Sequence, residues 1–398
     1  MRVIKNLTSK LFESLHSVHK ARKTSLSFVI EALCFGGKLG LTSLARAAYS
    51  KTTVKHNIKR IDRLLNNPRL AKEIPQFCGA VIKTVIPVNS SPVLLVDWTL
   101  VGKDHCALFA SAPFEGRAVT VYFEVHPMKK YANRELEYAF LDTLNDLLPE
   151  GVKPTLVTDA GYLHPWFKKV IALDWYFVGR LNPRMKVFPE KGHKTSVKAL
   201  EYFTKKTATD IGECTVTISN PLKYRVIQGK RYRRNPKRSA KSRPFTGYGR
   251  GSHQARRRAQ TAWVLATNHN KLSADHIVSL YALRMSIEEQ FRDFKNARFG
   301  WAFRECRTSS KARYSILLLI GSIGHLIMLL VGAIAEKKKL HERFSSRSNP
   351  KSRVLSLFFL AKELLRFHYR FEVSWSDINS AIYSLSDYFI LKIKTGDT

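Results

Sequence analysis

The sequence predicts a multidomain α/β protein with helical ends and a strand-rich middle. Three observations carry this. Apolar residues in the first ninety positions recur at helical spacing. Beyond Pro92, short apolar runs of strand length alternate with helical segments. After Trp301 the helical period returns. A chain of 398 residues is long enough for two or three domains, and 44% hydrophobic content fits a globular protein rather than a disordered one.

In the first ninety residues, Ser25–Gly36 is apolar and stops at Gly36-Gly37. Leu41–Tyr49 and Thr52–Asn66 follow as two helical patterns across a polar turn, Ser50-Lys51. The second sets Lys55, His56, Lys59, Arg60 and Arg63 against an apolar side of Ile58, Ile61, Leu64 and Leu65. This reads as a helix-turn-helix or, equally, as an ordinary basic hairpin. The helical region is expected to end near Asn67-Pro68 or Pro87.

Val93–Val96 is a short apolar run, expected as a strand ending at Asp97. Strands are expected at Cys106–Ser111 and Ala118–Val125, and a helix at Arg134–Leu147. Thr155–Val157 is a further strand ending at Asp159, then a helix at Pro165–Ile171 and a strand at Trp175–Gly179. Two aspartates at strand ends in a mixed α/β layer could be metal ligands, but singly each is more often a turn residue.

From Asn182 to Asn270 strand-like runs, Cys214–Ile218, Tyr224–Ile227 and Ala262–Ala266, flank a basic stretch. Between Lys230 and Arg258 stand twelve cations and no acid, Arg256, Arg257 and Arg258 among them. The formal net charge is +36, far more than solubility requires, and a polyanion is the natural partner. Backbone contact with nucleic acid is the expectation for this stretch, against a solvated loop. The five cysteines are scattered with no CxxC pair, so neither a disulfide framework nor a thiolate zinc site is suggested. The same cysteine usage makes a reducing cytosol the default, and Met1–Lys20, interrupted by charges and without an apolar run, is not expected to be a secretory signal. Ile316–Ala335 is uncharged over 20 residues, but Gly321, Ser322, Gly324 and His325 interrupt it and cations flank both ends. A buried core helix is expected there, not a membrane span.

The segment Tyr281–Lys295 is expected to be one amphipathic helix with Leu280, Leu283, Ile287, Phe291 and Phe294 as its buried stripe. Tyr281, Arg284, Glu288 and Lys295 fall on an adjacent face, and Glu289 on the solvent side. Glu288 is therefore the carboxylate of interest, although Arg284 and Glu288 also form an ordinary i,i+4 pair.

The spacing Tyr-x2-Arg-x3-Glu-x6-Lys resembles the signature of bacterial insertion-sequence DDE transposases, the group containing the Tn-five and Tn-ten transposases, and matches at all four positions. VDWTL at Asp97 and TDAGY at Asp159 look like that family's two catalytic aspartates, and Glu288 like its third carboxylate. The resemblance implies an RNase H-like core interrupted by a β-rich insertion. The parts would be a helical DNA-binding domain at 1–90, the core's first part at 91–181, the insertion at 182–270, core completion at 271–340 and a helical region at 341–398. It also implies Mg2+, replaceable by Mn2+, at Asp97, Asp159 and Glu288, and cut-and-paste transposition through DNA hairpins. Tyr281, Arg284 and Lys295 would hold phosphates of double-stranded transposon ends and target. Trp263 would stack on a flipped base, or is simply a buried strand residue. Arg180 is a weaker DNA-binding candidate. A homodimer on DNA, a bacterial nucleoid-associated location and no membrane complete the expectation. A metal-dependent nuclease without strand transfer and a non-enzymatic DNA-binding regulator are the competing readings.

Overall fold

The computed structural model describes residues 2–190, 193–202, 207–217, 221–230, 262–346, 353–366 and 372–390. Two compact units emerge. The first runs from the N-terminus to Pro154 and resumes at Met285; the second is Thr155–Arg284. The helices of the first ninety residues thus lie within the first unit instead of forming one of their own.

The first unit is built on an antiparallel meander of β1 (Val93–Val101), β2 (His105–Phe114) and β3 (Arg117–Pro127). Glu115 and Gly116 join β2 to β3 with φ of 49° and 78°, the two positive values that a two-residue hairpin matched to strand twist requires. Most residues of the three strands are buried, as expected where both faces are covered, with Asp97, Thr99 and Leu100 of β1 among the exceptions. Helix α7 (Arg134–Leu147) covers one face, with Phe140 4.8 Å from Tyr122 between ring centroids and Glu137 accepting from the Trp98 indole at 3.0 Å. Burial raises the Glu137 pKa, and the indole hydrogen bond opposes that rise. The opposite face carries α11 (Met285–Lys295) and α12 (Lys311–Lys337): Phe291 lies 5.2 Å from Phe109, and Tyr314 5.4 Å from His105.

Helix α12 contains the uncharged run, and 94% of its most apolar window is buried inside the protein. It is long and apolar enough to cross a membrane, yet its neighbours are protein. Around it pack α1 (Arg2–Phe12), α2 (Lys20–Cys34), α4 (Val54–Leu65), α5 (Pro68–Lys72), α6 (Ile74–Val85), α13 (Leu357–Arg366) and α14 (Trp375–Phe389), together with β3. Such cover on all sides explains why the run has no polar face. Helix α3 (Leu41–Ala47) packs on α4, and Asn57 pins the turn between them by accepting from Ser50 Oγ at 3.0 Å and Thr52 Oγ1 at 3.1 Å. Lys55, His56, Lys59 and Arg63 are exposed on α4, while Arg60 lies over the Phe28 ring.

In the second unit β4 (Thr155–Thr158) and β5 (Tyr176–Arg180) run parallel, linked by α8 (His164–Ala172). The sheet continues from β5 through β10 (Trp263–Thr267), β9 (Leu222–Gly229), β8 (Thr209–Val216) and β6 (Lys186–Pro189) to β7 (Thr195–Ser196), all antiparallel. Helices α9 (Val197–Leu200) and α10 (Ala274–Ala282) complete it.

Two expectations are corrected. Strand β1 does not stop at Asp97: it runs on to Val101, so Asp97 is mid-strand, directly across from Phe109. The alternation of Trp98 and Leu100 with Asp97 and Thr99 suits a pleated strand, which an all-apolar criterion truncates. Nor is Tyr281–Lys295 one helix. It breaks at Leu283–Arg284, where the Leu283 and Arg284 amides donate back three residues, to Leu280 and Tyr281 carbonyls at 3.1 and 3.0 Å.

A side chain at Gly332 of α12 would overlap the Leu357 backbone carbonyl at the start of α13, whereas Gly40 has open space around it. Gly332→Val should therefore destabilise the protein by about 3 kcal/mol, and Gly40→Ala by under about 1 kcal/mol. Paired thermal and urea melts check this; equal midpoints for the two variants would refute the packing of α13 on α12.

Candidate active site

In the first unit the face of β1 that bears Asp97 is the one α11 covers, because Phe109, opposite Asp97, packs on Phe291. Thr99, two residues on, points the same way. Lys295 Nζ donates to Thr99 Oγ1 at 2.6 Å and lies 5.6 Å from the Phe291 ring centroid. Asp97, Thr99 and Lys295 are each half-buried. Burial pulls the Lys295 pKa down to about 8, Arg304 pushes it the same way, and the charge of Asp97 opposes both. Glu288 precedes Lys295 by seven residues, two helical turns or about 10 Å along the same side of α11. Its carboxylate side is exposed to solvent.

The expected roles of the adjacent glutamates change here. Glu288 is exposed, whereas Glu289, expected in solvent, is half-buried and ion-paired with Arg117 at 3.4 Å and with Arg292. Leu283, counted in the apolar stripe, belongs to the turn and is partly exposed. The side of α11 that faces the core holds Ile287, Phe291 and Phe294, but also Ser286, Gln290 and Asp293. A wheel that counts only apolar residues misplaces the buried arc when half of it is polar.

In the second unit Asp159 directly follows β4, as expected, and is half-buried. Its Oδ1 accepts from the Gly161 amide at 2.8 Å, a local turn that fixes the carboxyl group and leaves Oδ2 outside that bond. Tyr281, at the end of α10, is 5% exposed. Its ring meets Trp263 edge-on at 4.8 Å, and its hydroxyl bonds to Arg180. Burial raises the Tyr281 pKa, while the charges of Arg284 and Arg180 lower it and Asp159 adds to the rise. Arg180 also donates to Glu201 at 2.7 Å. Trp263 opens β10 and is only partly buried, so part of its ring reaches solvent. Tyr281, Arg284, Arg180 and Trp263 are thus brought together around the side of the unit that bears Asp159. Arg256, Arg257 and Arg258 lie outside the described residues, as does the basic stretch beyond Lys230.

Among the described residues no three His, Cys, Asp or Glu side chains form a group that could by itself hold a metal ion. Taken unit by unit, the chemistry of the side chains is that of donors to a hard divalent ion. Asp97, Asp159 and Glu288 offer carboxylate oxygens at partly or fully exposed positions, and magnesium commonly takes only one or two carboxylates plus water and substrate phosphate. Thr99, Arg117, Asp293 and His325, which the sequence reading passed over, contribute to the same part of the first unit.

Residues 89–323 match the family model described as the transposase DDE domain. The matched span contains Asp97, Asp159, Trp263 and the whole of Tyr281–Lys295. No curated protein matches the chain.

A lysine whose pKa falls from 10.5 to about 8 on folding makes the folded chain bind fewer protons than the unfolded one between those values. Stability from this group is thus present above pH 10.5 and lost as pH falls to 8, so the ammonium costs stability at pH 7. Lys295→Met should raise the melting temperature at pH 7 by a few degrees and flatten the stability profile between pH 8 and 10. A lower melting temperature for the variant would show that the bond to Thr99 outweighs desolvation.

Proposed function

Because the chain belongs to the transposase DDE-domain family, with 235 of its 398 residues (89–323) inside the family match, we propose that it carries out cut-and-paste transposition of its own insertion sequence. As a member of that family it is a transposase, a DNA-binding enzyme that works with divalent metal ions. The finer reading assigns it to the group of the Tn-five and Tn-ten transposases, with an RNase H-like core, DNA hairpin intermediates and strand transfer. The observation that carries it is the arrangement on α11: Lys295 held over Thr99 beside Asp97, with Glu288 two turns away on the same exposed side.

In this reading Asp97, Asp159 and Glu288 are the three metal-holding carboxylates, and Mg2+, with Mn2+ as substitute, is the ion. When bound, such ions activate the attacking oxygen and stabilise the leaving one in phosphodiester cleavage. The chain's own side chains do the rest. Lys295 places a compact cation beside Asp97, where a scissile phosphate brings negative charge. Arg284 and Arg180 surround the Tyr281 hydroxyl with donors for the phosphates of a terminal nucleotide. Trp263, braced edge-on by Tyr281, offers its partly open face to an extruded base, which regains in stacking part of what it loses on leaving the duplex. The exposed cations of α4 are suited to duplex backbone, and Arg256–Arg258 extend that role in the insertion. A homodimer on paired ends in the bacterial cytoplasm, associated with the nucleoid, is the setting.

The decisive assay is cleavage of supercoiled DNA carrying the element's own ends, with products resolved on denaturing gels. Asp97→Asn, Asp159→Asn and Glu288→Gln should each lower cleavage by at least about 1,000-fold, while Glu289→Gln stays within about 10-fold of wild type. Hairpinned flush ends that disappear with Glu288→Gln support the full reading. Nicks without strand transfer would leave a nuclease, and tight binding with no cleavage a regulator. Undiminished cleavage by Glu288→Gln would remove that residue from the site.

A further inference from the structure

Beneath the helix that bears Glu288, the first unit buries a polar cluster that the proposed chemistry does not use. Asp293 Oδ2 accepts from Arg117 Nε at 2.6 Å and lies 3.2 Å from His325 Nε2. His325 is wholly buried midway along α12, with its ring 5.4 Å from Phe294, 5.2 Å from Phe358 and 6.1 Å from Trp301. A carboxylate only accepts, so His325 carries a proton on Nε2, and its Nδ1 has no partner among the described residues. Arg117, at the first position of β3, also reaches Glu289, one turn before Asp293. Between them Gln290 donates to Thr120 of β3. Three elements, β3, α11 and α12, therefore meet in directional bonds at one point.

Stability alone does not explain such a cluster. Apolar side chains of similar volume usually serve a buried site as well as an ion pair or better, because they avoid the desolvation penalty. What directional bonds supply is a single rotation and axial register, where Phe291 and Phe294 alone could slide against their neighbours. Lys295 follows Asp293 by two residues, and Glu288 precedes it by five. A small rotation of α11 therefore moves both relative to β1.

We infer that Arg117, Asp293 and His325 are positioning residues that fix the rotation of α11 and so set where Glu288 and Lys295 stand relative to Asp97. The inference rests on the catalytic reading of Glu288. Their loss weakens the grip on the divalent ion and slows cleavage without touching DNA or metal, as changes behind metal ligands commonly do by 10-fold or so.

The experiment uses the full-length protein on DNA bearing its own ends. It measures the thermal midpoint, end binding by gel shift, and single-turnover cleavage across a Mg2+ series. His325→Leu should fold and bind the ends like wild type, yet need about 10-fold more Mg2+ for half-maximal cleavage. His325→Gln, whose amide can again donate to Asp293, should recover most of that loss. Arg117→Lys keeps the charge but not the fork that spans Glu289 and Asp293, and should shift the Mg2+ curve in the same direction. It decides the matter if His325→Leu does not fold. Glu288→Gln is run beside them: cleavage surviving in that variant is a failure of the catalytic reading. An inactive Glu288→Gln with unshifted Mg2+ curves in the folded His325→Leu and Arg117→Lys proteins overturns the positioning role alone.

Discussion

An uncharged run of twenty residues cannot be left facing water, and the first unit is arranged around burying Ile316–Ala335. Helices from the chain's beginning and from its end close over α12 together with β3. Its glycines set how closely they approach. The start of α13 lies against Gly332 at distances that a side chain would forbid, and Leu33 and the Trp301 ring lie close enough to Gly324 that a side chain there would push them back. The tight cover makes α12 a fixed reference, and α11 lies in the same layer with Phe294 and Trp301 packed on the His325 ring. A chemistry that depends on carboxylates held to fractions of an ångström needs a backing of this kind, because exposed side chains on a loose helix would sample many positions.

Charge is the second constraint, and it pulls against the first. With a net charge of +36 the chain repels itself, yet two cations of the first unit, Lys295 and Arg117, are drawn into its interior. Lys295 sits at a cost beside Thr99, and Arg117 is nearly covered at its place between Glu289 and Asp293. Stability would favour apolar residues at both positions. In the proposed reading Lys295 is a donor oriented beside Asp97 before phosphate arrives, and Arg117 holds the helix that bears it.

Much of this was legible in the sequence. Helix α7 matched its expected ends, α12 was expected as a core helix, and the strands from β2 to β5 fell where apolar runs met turn residues. Such features announce themselves because period and length are set by local geometry. Polar residues that behave as core were not legible. Asp97 looked like a strand terminus because an aspartate interrupts an apolar run, and only pairing with Phe109 carries the strand through it. Asp293 and Gln290 are not among the apolar residues of the expected stripe, and only Arg117, His325 and Thr120, distant in sequence, make their burial tolerable. Helix periodicity ranks faces by hydrophobicity. It has no means to see a partner some thirty or two hundred residues away.

The Tyr-x2-Arg-x3-Glu-x6-Lys spacing illustrates the same limit at its most instructive. Read as one helix, it placed four side chains on one face. In the structure it is two local arrangements joined at a break. Tyr281 and Arg284 are three apart because the Arg284 amide closes a tight turn onto the Tyr281 carbonyl, which sets a guanidinium near the phenol it perturbs. Glu288 and Lys295 are seven apart because two turns of α11 return a side chain to the same side. The compact units divide between Arg284 and Met285, so the first pair belongs with Asp159 and the second with Asp97. Each half of the signature thus takes its spacing from its own backbone geometry and shares a compact unit with one of the two aspartates. The break lies at Leu283–Arg284, and the residues between Arg284 and Glu288 are already the first turn of α11. Four positions that share one face of a helical wheel are thus divided by a break in the chain that hydrophobic periodicity does not register.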